Sequence, residues 1–134
     1  MALKLLLDTN AYSAMLRGDQ AIAQRVREAE QLVMSVIVLG ELLLGFRIGT
    51  RYEANLAKLR RFLGSPYVSV AQTTEVTADR FARIGAQLRA VGRPIPTNDV
   101  WIAAHAMEHG AELLSYDRHF EQVAGVAWID PAAT

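Results

Sequence analysis

The sequence predicts an α/β domain built on a largely parallel sheet, and three observations lead there. Short apolar runs alternate with longer amphipathic ones along the chain. The first run, Leu3–Leu7, is apolar but for Lys4 and ends in Asp8, as a central strand buried on both faces does. The later amphipathic stretches repeat their apolar residues every three or four positions, the period of a helix laid against a sheet. The 134 residues are read as one domain, 1–134, and 51% hydrophobic against 21% charged residues describes a folded core.

After the first strand, Thr9 or Asn10 is placed to cap a short helix running to Leu16 and closed by Arg17-Gly18-Asp19. Ile22, Val26 and Ala29 give a second helix its inner stripe, and Leu32–Met34 is a second strand. Ser35 then caps a helix beginning at Val36. Tyr52, Leu56, Leu59 and Leu63 form the apolar face of the next helix, stopped by Gly64-Ser65-Pro66 before a third strand near Tyr67–Val70. Thr77, Phe81, Ile84, Leu88 and Val91 repeat the period until Gly92 and Pro94 end it. Pro96-Thr97-Asn98 opens a helix from Asp99 to about His109, with Gly110 closing it. Glu112–Ser115 is a fourth strand and Val126–Ile129 a fifth at the sheet edge, followed by a frayed tail, Pro131–Thr134.

Composition narrows the function. No apolar run reaches the roughly 20 residues of a membrane span, and the longest, Val36–Gly45, carries Glu41. The N-terminal run Met1–Asp8 has no basic leader and reads as a strand, not a signal peptide. Without cysteine there is neither a disulfide framework nor a thiolate metal site, which agrees with a cytoplasmic protein. The net charge of +0 gives no sign of a polyanion binder, yet all bases except Lys4 and Lys58 are Arg. Arg suits bidentate phosphate contacts, although a GC-rich genome explains the bias equally well.

Most acids have an ordinary place: Asp19, Glu28, Glu30, Glu53, Asp79, Glu108 and Glu121 fall in turns or on polar faces. Four do not. Asp8 and Asp117 each follow an apolar strand, and open α/β sheets bind ligands beyond the carboxyl ends of their strands. Asp99 stands in the first turn of a helix, where the dipole favours a negative group and where simple capping is the plainer explanation. Glu41 lies between Val36-Ile37-Val38-Leu39-Gly40 and Leu42-Leu43-Leu44-Gly45-Phe46. A helix apolar on nearly every side is expected to be buried. An ionised Glu41 there needs a metal or an Arg partner, and Gly40 and Gly45 would let other backbone come close. Oxygen ligands without Cys favour Mg2+ or Mn2+, ions that activate water and stabilise a leaving oxygen in phosphodiester cleavage. No P-loop or dinucleotide fingerprint occurs.

One motif competes. His105-Ala106-Met107-Glu108-His109 fits H-x-x-E-H, an inverted zinc-protease pattern that sets two His on one helix face. A catalytic zinc would need a third ligand, and the remaining His119 lies in a turn after the fourth strand. Two His and a Glu in an alanine-rich helix match such a pattern readily by chance, and zinc proteolysis is set aside.

Four segments together carry a family resemblance: Leu6-Leu7-Asp8-Thr9-Asn10; Ser35-Val36-Ile37-Val38-Leu39-Gly40-Glu41-Leu42; Pro96-Thr97-Asn98-Asp99-Val100-Trp101-Ile102-Ala103-Ala104; and Leu114-Ser115-Tyr116-Asp117-Arg118-His119-Phe120. The chain resembles the PIN-domain nucleases, and among them the VapC-type toxins of bacterial toxin–antitoxin pairs. The resemblance implies a three-layer α/β/α sandwich around a mainly parallel sheet of four to five strands. It implies endonucleolytic cleavage of RNA with Mg2+ or Mn2+, an acidic quartet at Asp8, Glu41, Asp99 and Asp117, and Thr9, Asn10 and Ser115 as supporting or substrate-contacting positions. Ser115 stands where relatives often have Thr, keeping the hydroxyl. In this scheme Asp8, Glu41 and Asp99 hold one or two ions, Asp117 completes the site, and rim arginines orient the RNA. The resemblance also implies a homodimer and a VapB-type antitoxin. The apolar Leu43, Phe46 and Ile48 are expected to exceed what one small domain covers and to meet that partner. A catalytically silent binding module is the alternative from a different class.

Overall fold

Leu5, Leu6 and Leu7 are almost fully buried, and they form the centre of the sheet. The computed structural model describes residues 3–133, so Met1 and Ala2 of the N-terminal run and Thr134 of the tail lie outside the described residues. Strands β1 (Lys4–Leu7), β2 (Gln31–Ser35), β3 (Val68–Ala71), β4 (Glu112–Leu114) and β5 (Trp128–Ile129) line up in the order β3-β2-β1-β4-β5. Every pairing is parallel. Parallel neighbours need crossovers, and the helices supply them: α1 (Thr9–Leu16) and α2 (Gln20–Glu28), α3 (Val36–Ile48) and α4 (Tyr52–Leu63), then α5 (Glu75–Ala90) and α6 (Thr97–Glu108).

The pleat sorts side chains to two cores. Leu5 and Leu7, with Leu32 and Leu114, pack against Ala11, Ala14 and Ile22 of α1 and α2. Leu6, with Val33 and Leu113, faces Val38 and Leu42 of α3, Leu59 of α4, Ile84 and Leu88 of α5, and Ala103 of α6. Helices on both faces of one parallel sheet make the three-layer α/β/α sandwich that the family resemblance implies. Burying one Leu in such a core contributes about 1.5–3 kcal/mol. Strand order reverses direction at β1 and β4: the chain winds from β1 to β3 on one side and adds β4 and β5 on the other. The crevice at the carboxyl ends of β1 and β4 is therefore the switch point where ligands enter such folds.

Several expectations need correction. The cap of α1 is Asp8, neither Thr9 nor Asn10: its extended backbone lets its side chain accept from Ala11 N, while Thr9 is already helical. Helix α3 is not an inner helix. Only Val38 and Leu42 are buried, whereas Leu44 is 61% and Ile48 77% exposed. Leu43 and Phe46 pack partly against the core, so the uncovered apolar pair is Leu44 and Ile48. Nothing lies within 4 Å of a Cβ built at Gly40 or Gly45, so no backbone uses the room they leave. Val91 ends α5 as an exposed cap, followed by Gly92 at φ +69°. The described part of the tail, 131–133, is held in a turn, with Pro131 buried and Ala132 N donating to Asp130 Oδ1 (2.9 Å). No helix among the described residues is long and apolar enough to cross a membrane.

Candidate active site

The ends of β1 and β4 bring the first two acids together through one hydroxyl. Asp8 leaves β1 6% exposed, with one carboxylate oxygen occupied by Ala11 N (2.9 Å) as the helix cap. The other oxygen accepts from Ser115 Oγ (2.5 Å), a fully buried hydroxyl just beyond β4. The same Oγ accepts from Asp117 N (2.9 Å), fixing the turn that carries the second acid. Ser115 is held in turn by β5, since Trp128 Nε1 donates to its carbonyl (2.9 Å). Burial pushes the Asp8 carboxyl above its usual value; the bonds from Ser115 and Ala11 oppose this, and the charges of Asp117 and Glu41 add to it.

Glu41, midway along α3, is half-buried. Among the described residues it has no ion-pair partner, so the buried Glu–Arg alternative fails. Instead Oε1 accepts from Thr9 Oγ1 (2.5 Å) and Oε2 from Asn98 Nδ2 (3.2 Å). Thr9 thus supports Glu41, while Asn10 is exposed and no hydrogen bond among the described residues joins it to the four acids.

Asp99 occupies the first turn of α6, one residue after Asn98. Burial raises its pKa most; His119 opposes the rise, and Asp117, Glu41 and Asp8 all reinforce it. Four carboxylates on four elements therefore lie within electrostatic reach of one another, the convergence expected from the sequence. Among the described residues only Asp99, Asp117 and His119 place ligand atoms within 4.8 Å of one another; Asp8 and Glu41 stand outside that group and act on it through charge. His119 Nε2 stands 2.8 Å from Asp99 Oδ2, and Nδ1 2.9 Å from Asp117 Oδ1. This acid-rich, hydroxyl-braced crevice suits a divalent cation, which would offset the burial, and with it the like charge, that raise Asp8 and Asp99.

Sequence reasoning missed two participants. Asn98 registers there only as a helix opener, and His119 only as a turn residue inside a quoted motif. Among the described residues the H-x-x-E-H histidines join no metal-holding group: His105 is buried, with Nδ1 bonded to Ser35 Oγ (2.8 Å) and Nε2 to Thr73 Oγ1 (3.3 Å). Glu108 is no solvated acid either, since it is half-buried and accepts from Thr77 Oγ1 (2.5 Å).

Comparison with known proteins agrees with this frame. The sequence profile of the PIN domain matches residues 5–126. Ribonuclease VapC1 of Haemophilus influenzae strain R2866 is 30% identical over 130 residues, covering 93% of this chain and 96% of the relative. The chain belongs to the PIN domain family, in its VapC branch. The tRNA(fMet)-specific endonuclease VapC of Shigella flexneri is 29% identical over 127 residues, 92% of this PIN domain and 95% of the relative. The VapBC-1 structure from nontypeable Haemophilus influenzae superposes with a TM-score of 0.85 at 28% identity, covering 98% of this chain and 100% of that one.

Proposed function

We propose that this PIN domain is the toxin of a toxin–antitoxin pair and cleaves RNA phosphodiester bonds with Mg2+ or Mn2+ held by Asp8, Glu41, Asp99 and Asp117. The observation that carries the proposal is the convergence of these acids at the β1/β4 switch point of a PIN domain whose relatives are named ribonucleases. The ion, when bound, supplies Lewis-acid activation of water and neutralises charge on the leaving oxygen. The chain's own residues hold the frame for it. Ser115 fixes the Asp8 carboxylate and the Asp117 turn together, and Thr9 and Asn98 aim the two oxygens of Glu41. Arg118, exposed between Asp117 and His119, is placed to meet the RNA backbone at the rim.

The partner is a VapB-type antitoxin, as in the VapBC-1 neighbour. The uncovered Leu44 and Ile48 of α3 support a mate that buries apolar surface. Residues 1–134 are taken as a single functional domain, and its self-association is part of the same reading, to be tested by light scattering on the purified chain. Incubation with small stable RNAs tests the activity: cleavage is expected with Mg2+ or Mn2+ and none in EDTA. Cleavage that persists in EDTA would sink the metal-dependent reading, and growth arrest that survives Asp99→Asn would point to a silent binding module.

A further inference from the structure

We propose that His119 is itself a ligand of the divalent cation, which makes the centre a mixed oxygen–nitrogen site and not one built of carboxylates alone. The inference rests on the metal-dependent reading above and adds a residue to it. Donors on opposite sides of an ion with bonds of about 2.1 Å lie about 4.2 Å apart. The ligand atoms of Asp99, Asp117 and His119 all lie within 4.8 Å of one another, close enough that a small shift brings them round one such ion.

A simple hydrogen bond does not account for the imidazole's place. Nε2 is shielded from solvent and only 2.8 Å from Asp99 Oδ2, yet its ring geometry aligns no hydrogen bond there. Both ring nitrogens stand beside the acids, Nε2 2.8 Å from Asp99 Oδ2 and Nδ1 2.9 Å from Asp117 Oδ1, so an ion seated between these carboxylates meets an imidazole nitrogen, a common metal ligand. The backbone keeps the ring in position from both sides. Asp117 Oδ1 accepts from His119 N (3.2 Å), and the next residue, Phe120, is fully buried and meets the imidazole edge-on at 4.9 Å. An imidazole suits Mn2+ and later transition ions better than Mg2+, so His119 should bias this centre towards Mn2+.

Pulsed electron paramagnetic resonance on the full chain with Mn2+ tests this. Nitrogen-14 modulation from a directly bound imidazole is expected, lost in His119→Gln while Mn2+ still binds. Calorimetry should show Mn2+ affinity in that variant falling about tenfold or more, the scale seen for altered metal surroundings, with a smaller fall for Mg2+. Histidine-selective nitrogen-15 labelling of the unmutated chain should convert the modulation pattern, so the assignment does not depend on the variant folding. His105 is engaged by Ser35 and Thr73, and His109 lies ten residues along α6 from Asp99, about 15 Å away. Bound Mn2+ that Asp99→Asn removes but that shows no nitrogen modulation would overturn the inference and leave the metal-dependent reading intact. An unmutated chain that binds no Mn2+ or Mg2+ at all would overturn both.

Discussion

Helix α6 holds a polar cluster at each end, and the two are built on opposite terms. At its C-terminal end, His105 and Glu108 are matched group for group by Ser35, Thr73 and Thr77. Burial holds the His105 imidazole below its ordinary pKa, and so neutral near neutral pH. At the N-terminal end, Asp99 faces three other carboxylates, and both burial and like charge oppose its ionisation. A buried polar group with its partners supplied tightens a fold. A set of like charges that its own partners, here His119, offset only in part weakens the fold and is kept where an external cation completes it. The difference teaches that the conspicuous motif H-x-x-E-H marks the structural end of the helix, while the plainer Asn98-Asp99 marks the chemical one.

Substitutions at the two ends should separate these roles. The largest effect is expected at Asp99→Asn, which should lower metal-dependent RNA cleavage by about 10²–10³-fold, the scale for losing one preorganised charge-stabilising group. The same change should stabilise the metal-free protein near neutral pH. A carboxyl whose folded pKa lies above its unfolded value of 3.8 gives stability that is present below that value and lost as pH rises through the folded one. Melting temperatures in EDTA should therefore favour the variant at pH 7, and the gap should close as pH falls through the carboxylate range. A variant less stable than the parent at pH 7 would show that Asp99 is a structural cap after all.

His105→Ala should act in the reverse sense. Leaving Ser35 and Thr73 without their buried partner is expected to cost about 1–3 kcal/mol in denaturant unfolding, with cleavage per folded molecule unchanged. Loss of cleavage in fully folded protein would erase the distinction between the two ends. The smallest effect is expected at His109→Ala: stability within about 0.5 kcal/mol of the parent, and the same bound-metal content by elemental analysis. Zinc that disappears with this change would restore the H-x-x-E-H site.

How far the sequence reveals this architecture depends on which residues have a periodic environment. Leu5–Leu7, Leu32–Met34 and Leu113–Leu114 are buried by a sheet covered on both faces, so they appear as unbroken apolar runs. Leu59, Ile84 and Leu88 repeat at helical spacing because one side of each helix meets that sheet. Asp8 and Asp117 are visible because each ends such a run. His119 and Asn98 are not, since a turn residue acquires its neighbours from elements distant in sequence and no period announces it. Helix α3 misleads for another reason. Its apolar residues outnumber those its own domain covers, so uniform hydrophobicity there signifies an uncovered face at Leu44 and Ile48, not burial.

The bond from Trp128 to the Ser115 carbonyl gives the molecule an optical reporter. Of the two tryptophans, Trp101 stacks on Phe81 at 4.0 Å, with no bond to the acids, whereas Trp128 also lies beneath the Arg118 guanidinium at 5.7 Å. One short chain of contacts thus runs from the indole through Ser115 to the Asp8 carboxylate. Emission from this edge strand should sense whatever occupies the crevice, so that loading of the centre can be followed in real time without a label or a substrate.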